Sequence, residues 1–160
     1  MTEGTITADD IKKAHTPAAI VAGALILACA GYGAAALLLK RLNIEAPVKP
    51  PAAYALKYAF YLASAAAFAA SRFFAAPGGG ASPRDALRNM TKRSIVRSAL
   101  AEIPALSGLT LFALTGFYAD FLLMLAFSLA LEAAYFPRLQ AWRDRLNGEF
   151  PVAPGCAEES

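Results

Sequence analysis

One uncharged run, residues 18–39, constrains this chain more than any other feature. It reads AAIVAGALILACAGYGAAALLL and is followed by the basic pair Lys40 and Arg41. A helix that crosses the roughly 30 Å hydrocarbon core of a bilayer needs about 20 mainly apolar residues, so the run predicts a transmembrane helix. Three prolines follow within ten residues of this pair. Because proline supplies no backbone N–H, the segment that contains them is predicted to lie outside the bilayer.

The composition agrees with a membrane protein and excludes several other classes. Hydrophobic residues make up 58% of the 160 residues and charged residues 17%, against roughly 45–50% and 25% in soluble domains. The formal net charge is only +3, which argues against a nucleic-acid-binding protein. One His and two Cys are too few for a bis-histidine haem, a zinc site or an iron–sulfur cluster within one chain. We therefore expect no metal, no cofactor and no nucleic acid.

Three further segments have the length of a membrane crossing. The predicted spans are residues 18–39, 52–76, 95–114 and 118–136. The second has Lys57 and Arg72 at the two ends of its uncharged centre, where long basic side chains can snorkel to the surface. Lys57 and Asp120 both lie toward the outer side, so they either snorkel or pair with each other. A polar loop at 77–93 separates two hairpins. The sequence thus predicts an all-α fold, a polytopic transmembrane four-helix bundle in a single membrane domain 1–160.

Both ends of the chain are predicted to form short amphipathic helices on the membrane surface. Near the N-terminus, Thr7 is placed to accept the backbone N–H three residues on, as a helix N-cap does. Near the C-terminus, Leu139, Trp142 and Leu146 recur on one face between arginines, a pattern typical of a helix in the interface. The tail 137–160 is therefore predicted to be interfacial, with its last residues disordered.

The positions of Lys and Arg predict the orientation of the spans. Eleven of them fall on one side, in the N-terminal segment, the central loop with its flanks and the C-terminal tail, and three fall on the other. We expect a multi-pass cell-membrane protein with both termini in the cytoplasm, in the inner membrane if the source is a bacterium. The competing interpretation is a signal sequence cleaved or lipidated at Cys29. The apolar run continues ten residues beyond Cys29, which favours a membrane span.

Small residues recur at helical spacing on the first two predicted spans. They are Ala55, Ala59, Ala63 and Ala67 on the second span and Gly23 and Gly31 on the first. Membrane helices associate by close packing of such residues. The pattern predicts one of two structures: a seam between this chain and another copy or partner, or a face that packs the helices of the chain together.

Besides Lys57, Arg72 and Asp120, three charged side chains lie within the predicted spans, where a charge costs roughly 2.5–3.5 kcal/mol at mid-helix. Glu102 is the deepest, about 12 Å along the axis from Ser94 at 1.5 Å per residue. Glu132 and Arg97 lie at similar depths nearer the cytoplasmic side and are expected to pair, which leaves Glu102 without a basic partner. An unpaired buried carboxyl group holds its proton. Glu102 is therefore either a proton- or ion-binding group or a neutral residue that fixes helix packing, where Pro104 frees a backbone carbonyl.

Residues 99–109 carry a local resemblance to a known family. Their sequence, ALAEIPALSGL, resembles the carboxylate-bearing helix of the proteolipid c-ring subunits of rotary ATPases, where small and aliphatic residues and then Gly-Leu follow a membrane glutamate. Four helices in about this length are also similar to the doubled proteolipids of vacuolar-type enzymes. The resemblance implies that Glu102 binds a proton or a sodium ion within an oligomeric ring. Pro104 and the basic segment 77–93 depart from the family pattern.

No enzyme signature occurs in the sequence. It contains no phosphate-binding glycine loop, nucleophile elbow or paired-histidine zinc motif, and we do not expect an enzyme. The expected function is that of a non-catalytic accessory or scaffold subunit that contacts the lipid bilayer and packs against itself or other membrane subunits. The alternative is a proton- or ion-handling subunit, of channel, rotor or transporter type, that uses Glu102 with support from Glu132 and Arg97.

Overall fold

A computed structural model describes residues 7–43, 46–74 and 82–149, and this part of the chain contains five helices and no strand. The helices are α1 (Ala8–Arg41), α2 (Ala52–Phe73), α3 (Pro83–Thr115), α4 (Tyr118–Tyr135) and α5 (Leu139–Glu149). The predicted all-α fold is confirmed. Three helices, α1, α3 and α4, are long and apolar enough to cross a membrane. The tail from residue 150 onward, predicted to be disordered, lies outside the described residues.

α1 begins where a helix is predicted and continues directly into the membrane run. Thr7 Oγ1 accepts the Asp10 N–H at 3.2 Å, and Asp10 Oδ2 accepts the Thr7 N–H at 3.1 Å, so the two residues form a capping box. The 34-residue helix then passes through Pro17 without ending. Ile11 and Ala18 are both buried and lie two turns apart on one face, so a continuous helix keeps them against the same neighbours. The prediction of a separate surface helix is wrong.

α3 begins inside the segment predicted to be a polar loop. Ser82 Oγ accepts the backbone N–H three residues on at 3.2 Å, and Pro83 occupies the first turn, where its missing N–H costs no helical hydrogen bond. The segment 77–93 is thus helical from Pro83 onward, while residues 77–81 lie outside the described part of the chain. The helix forms there because Ala86 and the leucine after it are buried against other helices.

α1 and α3 are longer than the apolar layer of a membrane is thick. They contain 34 and 33 residues, about 50 Å at 1.5 Å per residue, against a hydrocarbon core of roughly 30 Å. A crossing by either helix therefore leaves part of it outside the core. α2 has 22 residues but is not among the three helices with the apolar content of a span. Its three tyrosines and two basic residues lower its mean hydropathy.

α3 is the central helix, because α1, α2 and α4 all pack against it. It packs tightly against α4 at Gly108, where an added Cβ would lie 2.9 Å from Met124 Cβ and 3.3 Å from Phe121 Cα. Gly116 connects the two helices with φ = 76°, a left-handed conformation that glycine adopts without strain. The α3–α4 hairpin forms as predicted. The other hairpin does not form as predicted, since α1 and α2 pack on α3 and hardly on each other.

A small helical cap forms at one end of the molecule from the start of α1, the start of α3 and α5. Its buried core consists of Ile11, Ala18, Ala86, Leu87, Trp142 and Leu146. Two polar contacts join its segments: His15 Nε2 lies 2.9 Å from the Pro137 carbonyl oxygen, and Thr91 Oγ1 donates to the Ala14 carbonyl oxygen at 3.0 Å. The apolar face of α5, predicted to lie in the lipid interface, is covered by other helices. That face packs on α1 and α3, whose first turns carry matching apolar faces.

Candidate functional site

Polar side chains from α1, α3 and α4 meet inside the apolar part of the molecule. We call this group the polar layer; its members are Cys29, Tyr32, Ser98, Glu102, Ser128 and Glu132. All six lie within residues predicted to span the membrane. The structure therefore brings the two glutamates predicted from the sequence into one layer, together with the Tyr32 phenol, the Cys29 thiol and the hydroxyl groups of Ser98 and Ser128.

Glu102 is bonded to α1. The Tyr32 hydroxyl donates a hydrogen bond to Glu102 Oε1, and the Glu102 side chain is only partly buried. The ion pair that the structure shows within the described ranges does not involve Glu102. The hydrogen bond joins α1 to α3 inside the apolar region, which is the geometry of a carboxyl group that fixes helix packing.

Glu132 is more deeply buried than Glu102 and, unlike Glu102, has no hydrogen-bond partner among the described residues. Its side chain is 0% exposed, and neither carboxyl oxygen has a hydrogen-bond partner among the described residues; the Ser98 hydroxyl has none either. One turn earlier on α4, Ser128 donates instead to the Ala101 carbonyl oxygen. Its Oγ lies 3.8 Å from the Cys29 sulfur. In such surroundings a neutral carboxyl group costs far less free energy than a carboxylate.

The predicted pair between Arg97 and Glu132 does not form. An ion pair does occur in the described part of the chain, but between other residues, and the Arg97 guanidinium carbon instead lies 4.1 Å from the centre of the Tyr135 ring. A guanidinium group over an aromatic face gains cation–π attraction. Depth along a helix is not enough to predict a pair, because Ser98, one residue on, is the side chain that faces the polar layer.

Lys57 and Asp120 form that ion pair near the turn between α3 and α4. Lys57 Nζ lies 2.8 Å from Asp120 Oδ1, and the Tyr61 hydroxyl donates to the same oxygen at 2.8 Å. Of the two predicted alternatives, pairing is the one that occurs. The ion pair connects α2 to α4, and each charge compensates the other.

Most of the small residues predicted to form stripes face away from the other helices. Ala55, Ala59 and Ala63 are exposed, whereas Ala67 is buried. On α1, an added Cβ at Gly23 or Gly31 would meet nothing within 4 Å. α2 packs on α3 through a different face, which contains Ala53, Ser64, Ala67 and Ser71. Except at Ala67, the alternative that these residues hold the chain's own helices together is therefore wrong.

The geometry above is the basis for assigning a function. No protein-family model, curated protein or solved structure matches the chain. Residues 7–43, 46–74 and 82–149 contain no group of three or more His, Cys, Asp or Glu side chains that could hold a metal ion. The polar layer and the outward-facing small residues are therefore the features from which we infer a function.

Proposed function

We propose that the chain is an integral membrane protein whose helices α1 to α4 cross the bilayer, with both termini in the cytoplasm. In that setting it acts as a non-catalytic accessory or scaffold subunit of a membrane complex. The observation that carries the proposal is the outer face of α2, where Ala55, Ala59 and Ala63 are exposed although small residues are what membrane helices use to associate.

The path of the chain supports four crossings. The starts of α1 and α3 lie together in the helical cap, so the chain that leaves the cap along α1 returns to it before α3 begins. α2 is the helix between them, and its 22 residues extend about 33 Å at 1.5 Å per residue, enough for the hydrocarbon core. The pairing of Lys57 with Asp120 removes the main cost of placing a lysine in that helix.

The distribution of charge supports the orientation. Basic residues are concentrated in the helical cap and its flanks; they include Lys12, Lys13, Arg84, Arg88, Lys92, Arg138 and Arg143. An excess of Lys and Arg marks the cytoplasmic side of a membrane protein. The cap therefore lies in the cytoplasm, with the α1–α2 connection and the α3–α4 turn on the other side.

The outer face of α2 supports a role in association. Alanines at every fourth position leave a shallow groove in which the backbone of another helix can come close, and lipid tails fill such a groove no better than a helix does. Within the described residues, Ala55, Ala59 and Ala63 stay exposed on this face. The partner is therefore a second copy of this chain or a helix of another membrane subunit. Lipid contacts the rest of the outer surface.

Purification from the native membrane in a mild detergent tests this role. We expect a tagged chain to elute with further copies or with a defined set of other membrane proteins, identified by light scattering and mass spectrometry. Ala59→Leu should shift the chain to a smaller assembly because the added side chain blocks the groove. Ala99→Leu, at an exposed alanine of α3 that lies outside both stripes, is the control of equal volume change. A monomer with no co-purified chain, or equal effects of the two substitutions, would contradict the proposal.

A second candidate function is proton or ion handling, favoured by the burial of Glu132 without a hydrogen-bond partner. In this role Glu102 and Glu132 exchange protons within the polar layer, and the chain serves as a channel, rotor or transporter subunit. The resemblance of residues 99–109 to proteolipid subunits supports the same role for Glu102. Arg97, over Tyr135, is then a neighbouring charge and not the counter-ion of Glu132.

Substitutions in the polar layer separate the two functions. Glu102→Gln keeps a group that accepts from Tyr32 but cannot exchange a proton, whereas Glu102→Leu loses both properties. For a packing role, we expect the Gln variant to be as stable as the wild type and the Leu variant to be less stable. For a proton-handling role, Glu102→Gln and Glu132→Gln should abolish dye-detected proton flux into liposomes while the fold is kept. Asp144→Asn, at an exposed residue of α5, is the control.

A further inference from the structure

An open cleft lies where the helical cap meets the ends of α2 and α4. Its volume is about 370 Å³, comparable to small ligand sites. The described residues that line it come from the end of α2, the first half of α3, the α4–α5 junction and α5. The cleft is therefore built by four separate segments, and it is distinct from the polar layer.

Among the described residues that line this cleft, four are arginines and none is acidic. They are Arg93, Arg97, Arg138 and Arg145. Their planar forks match the oxygen atoms of a phosphate group, which they bind through paired hydrogen bonds. The charge of the lining thus points to a phosphate-bearing anion.

Arg97 is held in place before any ligand binds. Its guanidinium carbon lies 4.1 Å from the Tyr135 ring centre, and the Tyr135 hydroxyl lies 3.0 Å from Ser71 Oγ, so the ring is tied to α2. Arg97 Nε is buried and has no acceptor among the described residues. A fixed donor without an acceptor loses little conformational entropy when an anion binds.

Apart from Ser94, the rest of the lining is mainly apolar or aromatic and lies at the end of the apolar helices. Phe74 follows the last residue of α2, Phe136 follows the last residue of α4, and Trp142 belongs to the core of the helical cap. A free phosphate ion would use only the arginines. A lipid would place its headgroup among the arginines and its glycerol and first acyl carbons against the aromatic rings, as at a membrane interface.

We infer that this cleft binds the phosphate headgroup of an anionic membrane lipid. The assignment needs the cleft to lie at the bilayer surface, and so it rests on the proposed membrane topology. It does not depend on the accessory or proton-handling role. A lipid held at this point contacts the cap and two membrane helices at once.

Native mass spectrometry of the chain released from nanodiscs tests the inference. With equal amounts of phosphatidylglycerol and phosphatidylcholine, we expect the wild type to retain phosphatidylglycerol in preference. Arg97→Gln/Arg138→Gln should lower the retained ratio about tenfold or more, since each arginine near anionic lipid contributes about 1 kcal/mol. Arg84→Gln/Arg88→Gln removes the same charge from exposed positions of α3 outside the cleft and should leave the ratio unchanged. Absence of a preference in the wild type, or equal losses in both pairs, would overturn the inference.

Two further comparisons keep the test decisive. If Arg97→Gln/Arg138→Gln does not fold, as judged by circular dichroism, the single substitution Arg138→Gln at an exposed residue is compared with Arg88→Gln. Millimolar inorganic phosphate, added to the chain in detergent, distinguishes a lipid from a soluble ligand. We expect it to leave the retained phosphatidylglycerol in place. Displacement by phosphate alone would overturn the lipid assignment. Topology is measured separately, so a failed lipid test leaves the proposed membrane role standing.

Discussion

Glu102 and Tyr32 join two membrane helices through one pair of side chains. The phenol donates and the carboxyl group accepts, and both side chains are partly buried. The depth of Glu102 in an apolar helix is visible in the sequence. Its partner is not, because Tyr32 lies 70 residues earlier and local spacing does not reveal which face of α1 packs on α3.

The first prediction concerns this hydrogen bond. Tyr32→Phe removes the donor and leaves the Glu102 carboxyl group without its partner. We expect the free energy of unfolding in detergent to fall by about 1–3 kcal/mol, measured by denaturant titration. Tyr58→Phe is the control, because Tyr58 is 71% exposed and its hydroxyl group faces the surroundings of the chain. A loss of the same size in both variants would show that the bond does not stabilise the fold.

At the scale of helices, the contact between α3 and α4 depends on the absence of a side chain at Gly108. An added Cβ would lie 2.9 Å from Met124 Cβ, closer than packed carbon atoms normally approach. Gly108 stands within the segment that resembles the proteolipid helix. Its contact with α4 is now a structural reason for glycine at that position, independent of the resemblance.

The second prediction compares two helical glycines. Gly108→Ala should destabilise the chain by about 1–3 kcal/mol, as overpacking of a close contact does. Gly31→Ala should be neutral or stabilising by up to about 1 kcal/mol, because alanine is the better helix former and its Cβ meets nothing within 4 Å. Thermal unfolding of both variants in the same detergent measures the difference. Equal stability of the two variants would contradict the close packing.

The helical cap gives a third prediction at this scale. Leu146 is 2% exposed in the cap core, so Leu146→Ala should destabilise the cap by about 2–5 kcal/mol. Trp142 is the single tryptophan of the chain and lies in the same core, so its fluorescence reports on the cap alone. We expect its emission to shift to the red at a lower denaturant concentration than in the wild type. Gln140→Ala, at an exposed site of α5, should leave the transition where it was.

The cap also shows which elements a sequence can predict. The membrane run in α1 and the N-cap at Thr7 are legible because each depends on neighbouring residues. The start of α3 was predicted as a loop because its charges dominate the composition, while the buried Ala86 and Leu87 are too few to indicate a helix without a partner surface. That surface comes from α1 and α5, which are distant in sequence.

For the whole molecule, the proposed number of crossings depends on whether α2 returns the chain to the side of the cap. The fourth prediction tests it with single cysteines in a chain whose own Cys29 and Cys156 are replaced by Ala and Ser. Lys13→Cys and Arg88→Cys, both exposed, should react with a membrane-impermeant maleimide from the same side of a sealed vesicle.

The α1–α2 connection provides the contrasting site. Lys49→Cys, also exposed, should react only from the opposite side, because α1 carries the chain across and α2 carries it back. Labelling of Lys49→Cys and Arg88→Cys from one side would show that α2 does not cross. The control is detergent-opened vesicles, in which all three sites should react equally.

The order in which the chain is synthesised gives the helical cap a further consequence. Two of its three segments are made early, at the start of α1 and before the apolar part of α3, whereas α5 is made after every membrane helix. Until α5 emerges, the apolar residues Ile11 and Leu87 have no cover from Trp142 or Leu146. Closure of the cap is therefore the last step in the folding of the single chain. A ribosome that stops after α4 releases a chain with an uncovered apolar surface, which quality-control proteases can recognise.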